Sequence, residues 1–336
     1  MKNNELPLIP VMIQVYTRKQ HFINCVESLL QCHLADRAHL IIASDAGKTE
    51  SDRIIVREIR EYCNTIKGVG KIEVMAFEEN LGTWEVLDKV LFYIFSKYDR
   101  VIYLEDDNII SPSFLEYISD GLDFYKDDPS VFSVCGYCPP IKIKKDYPYD
   151  IITHTTCCAW GIGFWKDKFL KVDFYLSDYK QQIYNIKTEK KLIQKMSYRV
   201  FSVIERIVEE NKKLRLGDVA VSYHCYINGM CNVYPRFSLV RNMGFDGTGL
   251  NMKKQPGFSE QPIRVDLYRT QFVMPPPKNN YIDRQFFKFQ TAPYSSTFKT
   301  AAYVFRYWTY QFWVVKLLRS WWRKYKRKIK MAECQK

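Results

Sequence analysis

The chain has 336 residues, 47% hydrophobic and 26% charged, which is too long for one small core and fits a large α/β domain or two intimate lobes. Its net charge of +13 is concentrated at one end: Arg284 to Ala332 holds twelve Lys or Arg and no acid, Glu333 and Lys336 cancel, and residues 1–283 carry only +1. A body so nearly neutral argues against nucleic acid as the partner.

"LIPVMIQVYTR" (8–18) reads as a buried strand running into a loop, and "QHFINCVESLLQC" (20–32) carries Phe22, Cys25, Val26, Leu29 and Leu30 at helical spacing. "HLIIASDAG" (39–47) is a second strand, and residues 51–66 are a helix with Ser51 or Asp52 as its expected N-cap. "KIEVMAF" (71–77) is a third strand, followed by a helix over 83–98. "RVIYLEDD" (100–107) is a fourth strand; a helix over 111–127 follows, with Pro112 near its first turn, then a fifth strand over 130–137. This alternation predicts an α/β fold with a mostly parallel sheet flanked by helices.

The second half is less regular. Residues 192–214 read as a helix, and 215–235 as another that leads into a strand near "MCNVYPRFSLVRN". Residues 246–263, with three of the fourteen glycines, read as a loop, and "VMPPPKNNY" (273–281) as a stiff linker. Three segments are expected: 1–137, 138–272, and 273–336 as linker and basic tail. The N-terminus has no apolar run of signal-peptide type, and no stretch of about 18 uninterrupted apolar residues suggests a spanning helix. Of the ten cysteines, Cys135 and Cys138 form a CxxC and Cys157 and Cys158 a pair, but the spacing suits buried reduced thiols better than zinc.

Ligands of such sheets bind beyond the carboxyl ends of the strands. The polar residues there are Tyr16, Thr17 and Arg18; Ser44, Asp45 and Gly47; Glu79 and Asn80; and Glu105, Asp106 and Asp107. The last three stand out, because adjacent carboxylates repel unless something takes up their charge. A hard divalent cation does so, using one or two carboxylates and completing its shell with water and phosphate oxygens. A solvated acidic turn is the plainer alternative. Neither GxxxxGK[ST] nor GxGxxG follows the first strand, so ATPase and dinucleotide readings lack their signature, and a nucleotidyltransferase lacks its glycine-rich loop in "VYTRKQH".

Three segments resemble the GT-A glycosyltransferases, nearest to the N-acetylglucosaminyltransferase I family: "IQVYTRKQHFINCVESLL", "IIASDAGKTESDRII" and "VIYLEDDNIISPSFLEYI". The resemblance covers residues 10–137 best. It implies a GT-A fold, with Arg18 on the donor diphosphate, Asp45 on the uracil, Asp107 as Mn²⁺ or Mg²⁺ ligand, and Asp106 and Glu105 near the ribose and sugar. "AWGIGFW" (159–165) resembles the family's active-site floor. The 216–251 stretch resembles the segment whose aspartate is the base of an inverting transfer, here Asp218. The flanking tryptophans are missing, and "RNMGFDG", with Asn242, Gly244 and Asp246, replaces a histidine motif.

The chemistry asks for the same parts. A leaving diphosphate needs positive charge, and an attacking hydroxyl needs a base on the opposite face, so the metal carboxylates cannot be that base. Asp218 is the candidate, Asp246 the second, and an N-cap is the structural alternative for Asp218. A retaining transfer would need no such base. Trp84 and Trp160 suit either sugar stacking or core packing, while His224 and His154 read as packed histidines. In residues 303–330, Trp308, Phe312, Val315, Leu318 and Trp322 recur at helical spacing among Lys and Arg, a pattern suited to an anionic bilayer surface. The expected protein is a metal-dependent transferase moving a sugar such as GlcNAc from UDP to a glycan or lipid-linked saccharide, cytoplasmic and peripheral at the inner membrane face. The alternative is an inactive nucleotide-binding scaffold at the membrane.

Overall fold

The first apolar run becomes strand β1 (Ile9–Val15), whose Val11, Met12 and Ile13 are fully buried. A computed structural model describes residues 8–178, 215–247, 256–266, 269–274 and 276–291, with Leu192, Lys195, Met196, Ile204, Trp321, Trp322 and Tyr325. The chain divides into two units, Met1–Phe174 with Leu216–Asp283, and Tyr175–Arg215 with Arg284–Lys336. The predicted helix over 192–214 and the tail over 303–330 lie outside the described residues apart from those isolated positions. Among the described residues, no helix is long and apolar enough to cross a membrane.

The first unit is an α/β sheet flanked by helices. In chain order it runs β1, α1 (Lys19–Leu30), β2 (Ala38–Ser44), α2 (Glu50–Cys63), β3 (Lys71–Ala76), α3 (Thr83–Phe95), β4 (Arg100–Glu105), β5 (Asn108–Ile110), α4 (Phe114–Phe124) and β6 (Val131–Cys135). Strands β7 (Ile151–His154) and β8 (Ile162–Trp165), helices α5 (Lys166–Phe169) and α6 (Asp218–Ile227), strands β9 (Cys231–Pro235) and β10 (Val240–Asn242), and helices α7 (Pro256–Ser259) and α8 (Asn280–Thr291) follow, the last reaching into the second unit. The eight-stranded sheet has the order β3-β2-β1-β4-β8-β6-β9-β7, with β3, β2, β1 and β4 all parallel. β1 and β2 are buried almost throughout because both faces of a parallel strand are covered by helices and loops. The edge strand β3 carries Lys71 and Glu73, charges that discourage edge-to-edge pairing.

The sequence pattern differs from the structure at three places. The N-cap of α2 is Thr49, not Ser51 or Asp52; the Thr49 side chain accepts from the Asp52 amide while the Asp52 carboxylate accepts from the Thr49 amide, a capping box three residues wide. β8 lies antiparallel between β4 and β6, within a sheet that the alternation predicts as mostly parallel. Strand β4 stops at Glu105, and the chain turns over Asp106 and Asp107 into β5, which pairs antiparallel with β10 in a separate two-stranded ribbon. The nine described cysteines are free thiols.

Candidate active site

β1 and β4 are parallel neighbours with Gln14 opposite Glu105, so the loop after one faces the turn after the other. Arg18 leaves that loop as the N-cap residue of α1, and its guanidinium spans two carboxylates. Nη2 donates to Asp106 Oδ1, and Nη1 lies 2.8 Å from Asp107 Oδ2. Both carboxylates are buried, whereas the Arg18 side chain stays a quarter exposed.

Asp107 is held from the ribbon side. Its Oδ1 accepts from Asn108 Nδ2 and from Asn242 Nδ2, each at 3.0 Å, and its carbonyl accepts from the Met243 amide. Asn108 and Asn242 are opposite each other in the β5–β10 register, so the ribbon delivers two amides to one oxygen. Asn242 Oδ1 in turn accepts from the Gly244 amide at 2.8 Å. Gly244 sits so close that a Cβ there would meet Asp107 Oδ2 at 2.0 Å and Arg18 Nη1 at 2.9 Å. One residue on, the 3-10 turn Gly244–Asp246 places Asp246 Oδ2 2.9 Å from His21 Nε2 on α1. Asn108 was not among the candidates read from sequence. The available signal was an asparagine directly after an acidic triplet, and it became meaningful only once β10 was known to lie beside it.

The electrostatics are dominated by too many carboxylates. Burial raises Glu105 well above the usual carboxylate range, and Asp107, Asp218 and Asp106 push it further while Arg18 opposes them. Burial likewise raises Asp106 to about 6 against the pull of Arg18. For Arg18, burial works against the charge but Asp106 and Asp107 outweigh it, and its pKa is raised.

Asp218 is the first residue of α6; the N-cap position belongs to Gly217, and no side chain caps the helix. The Asp218 carboxylate instead accepts from the Ala159 amide at 3.3 Å, and burial raises its pKa to about 6. Its bond to Ala159 sets it at the loop entering β8, whose Ile162 lies opposite Tyr103 on β4, two residues before Glu105. Gly161 takes a positive φ of 65° in the loop after Ala159, where Trp160 packs edge-on against Tyr137, Phe245 and Phe258. Trp84 lies against Phe174 and Gly217 beside the start of α6.

The ends of β2 and β3 form the other wall. Asp45 is buried, and its two oxygens accept from the amides of Ala46, Leu81 and Gly82 and from Asn80 Nδ2. It thereby pins the turn that opens α3, where Gly82 adopts a φ of 77°. Asn80 also donates to the Ala46 carbonyl at 2.6 Å. Arg60, from α2, donates to Ser44 Oγ and to the carbonyls of Ser44 and Phe77, tying the two strand ends together. Tyr16 turns toward α2: its hydroxyl donates to Asp52 at 3.0 Å and accepts from the Lys48 amide. Thr17 lies in the loop between β1 and α1, and its carbonyl accepts from the Lys19 amide. Beside this wall a cavity of about 720 Å³ is lined by Gly47, Lys48, Arg53, Arg57, Glu79 and Asn80 among others. His224 packs on Phe132, and buried His154 bonds to Thr156.

Among the described residues no three carboxylate, imidazole or thiol side chains converge into a cage for a metal. Asp106 and Asp107 nevertheless offer hard oxygens of the kind Mg²⁺ or Mn²⁺ takes when substrate phosphates and water complete the shell, so the donor set fits a cation held jointly with a diphosphate.

No protein-family model matches the chain, and no curated protein does. Among solved structures it overlaps partially with the mannosyltransferase PcManGT from Pyrobaculum calidifontis, solved with GDP-Man and Mn²⁺, at 12% identity and a TM-score of 0.37, over 60% of this chain and 65% of that one. It overlaps with TarS from S. aureus at 10% identity and a TM-score of 0.41, over 69% of this chain and 36% of that one. The match thus spans just under two thirds of the mannosyltransferase and about a third of TarS.

Proposed function

We propose that the chain is a GT-A glycosyltransferase that uses a divalent cation to transfer a sugar from a UDP-sugar to a glycan or lipid-linked saccharide, with inversion. The observation that carries this is the gathering of Glu105, Asp106, Asp107 and Asp218 at the carboxyl end of β4, where Arg18 bridges two of them. Burial and neighbouring acids together hold Glu105 and Asp106 above the usual carboxylate range, so the site is short of positive charge. A divalent cation bound with the donor supplies that charge to the departing diphosphate.

Asp107 is the cation ligand in this reading, and Asp106 stands beside it. The cavity beyond β2 and β3 receives the nucleoside; Asn80 and the turn pinned by Asp45 form its wall, so direct contact of Asp45 with the base requires it to exchange one of its four donors. Tyr16 and Thr17 line the passage toward Arg18, and Arg18 holds phosphate oxygens through its planar fork. Asp218 is the base. As the acceptor oxygen bonds to the anomeric carbon and the bond to the diphosphate breaks, the acceptor proton passes to the Asp218 carboxylate. A pKa near 6 suits this role, since the group is ionised at neutral pH yet still basic enough to take a proton. Asp246 is engaged with His21 and is the weaker candidate.

The test is thermal stability with UDP and Mn²⁺ together. A rise in Tm that Asp107→Ala abolishes is expected, followed by Mn²⁺-dependent hydrolysis or transfer in a screen of UDP-sugars. No shift with any nucleotide refutes the site. A shift without turnover on any donor or acceptor identifies a nucleotide-binding scaffold instead.

A further inference from the structure

The grip on Asp107 leaves one of its oxygens in an unusual position. Oδ1 is taken by two amide groups, from Asn108 and Asn242, and both asparagines are buried with β5 and β10 paired around them. Oδ2 is what remains for an incoming cation, and that is the oxygen Arg18 Nη1 occupies at 2.8 Å. The other arm of the same guanidinium takes Asp106 Oδ1. On its other flank, Gly244 lies so close that a side chain there would run into both Asp107 Oδ2 and Arg18 Nη1. A guanidinium and a divalent cation repel, and they compete for the same lone pairs.

We propose that Arg18 is a removable counter-ion: in the nucleotide-free protein it fills the cation site, and cation entry transfers it from Asp106 and Asp107 to the donor diphosphate. This rests on reading those carboxylates as the cation site. The geometry permits the exchange. Arg18 stands at the junction of β1 and α1 without a side-chain role in capping the helix, and its side chain is a quarter exposed. Two consequences follow by linkage. Cation alone binds weakly because it must first displace an internal ion pair, and diphosphate strengthens it by drawing Arg18 away, so each ligand raises the other's affinity by the same factor. The two buried carboxylates are also never left without a counter-charge between turnovers.

The Arg18 Nη–Hη resonance in full-length protein labelled with ¹⁵N-arginine reports this directly, with Arg18→Lys used to assign it and diamagnetic Mg²⁺ as the probe. Saturating Mg²⁺ alone is expected to move the resonance from a protected, ion-paired position to a solvent-exchanging one, and UDP added next to protect it again at a new position. In calorimetry, Arg18→Ala is expected to bind Mg²⁺ alone about tenfold more tightly than wild type, and UDP with Mg²⁺ at least about tenfold more weakly. Mg²⁺ binding that depends on Asp107 but leaves the Arg18 resonance in place overturns the exchange while sparing the cation site. Absence of Mg²⁺ binding with or without UDP overturns both. Should Arg18→Ala fail to fold, the wild-type spectra alone decide.

Discussion

In the proposed reading, Asp218 and Asn242 each act through single atoms. The Asp218 carboxyl holds its proton more tightly in the folded chain, at about 6, than in the unfolded chain, because burial disfavours its charge. The stability it contributes is therefore complete in acid, below about pH 4, and is lost as pH rises through about 6. Asp218→Asn removes the half-buried charge and keeps an oxygen to accept the Ala159 amide. It is expected to be about 1–2 kcal/mol more stable than wild type at pH 7, with the gain vanishing below about pH 4. The same variant should lose at least about a hundredfold in kcat while UDP–Mn²⁺ affinity is unchanged, and wild-type kcat should rise with pH to a plateau with a midpoint near 6. Denaturation at several pH values and steady-state kinetics check both; unchanged kcat removes Asp218 from the base role. Asn242 acts on the orientation of Asp107 instead. Asn242→Ala frees one Oδ1 bond and leaves the Gly244 amide without its acceptor, so Mn²⁺ affinity measured in the presence of UDP should drop about 10- to 100-fold. Restoration by nothing but an amide at this position would separate orientation from bulk packing.

The small β5–β10 ribbon is the element on which the site turns. It brings a segment about 130 residues downstream onto the acidic turn, pairing Asn108 with Asn242 and seating Gly244 on Asp107. Gly244→Ala puts a methyl group where Asp107 Oδ2 and Arg18 Nη1 now lie, at 2.0 and 2.9 Å. The expected outcome is a folded protein whose Tm no longer responds to UDP with Mn²⁺, with far-UV circular dichroism as the control; a normal ligand response would mean that the 244 turn moves away freely. The parallel half, β3-β2-β1-β4, was legible because alternating apolar runs and amphipathic stretches are local signals, and the polar residues at the strand ends pointed to one crevice. The antiparallel insertion of β8 was not legible, since "GIGFW" carries no mark of the strands it will join. The ribbon was hidden for the same reason: three residues after a turn have no period, and their partner is set by tertiary structure. Asp218 could be named but not distinguished from a cap, because position in a helix start looks the same in sequence whichever way the carboxylate faces. The structure gives the cap position to Gly217.

Charge divides the whole molecule sharply. Residues 1–283 are near neutral at +1, while Arg284 to Ala332 carries twelve positive charges among aromatics, with no acid to offset them. Trp321, Trp322 and Tyr325 are exposed, and both tryptophans stack on the tyrosine. Exposed indole and phenol rings between lysines and arginines suit a headgroup interface, where the rings enter the apolar boundary and the cations meet lipid phosphates. On the proposed function, a lipid-linked acceptor is confined to that surface, so attachment there would raise its concentration at this chain without any change in the crevice. Full-length protein is expected to sediment with vesicles containing phosphatidylserine or phosphatidylglycerol and to remain in solution with phosphatidylcholine alone. Replacing Lys324, Lys326, Arg327, Lys328 and Lys330 with glutamine removes five charges, each contributing about 1 kcal/mol near an anionic surface, so binding should weaken by at least about a hundredfold. Raising salt from 0.1 to 0.5 M should release the wild type as well, because screening shortens the reach of those charges to a few ångströms. UDP–Mn²⁺ affinity in solution should be unaffected by the five substitutions. Equal sedimentation with neutral and anionic vesicles, or no change on removing the charges, would detach the tail from the membrane and leave the acceptor to be sought among soluble glycans.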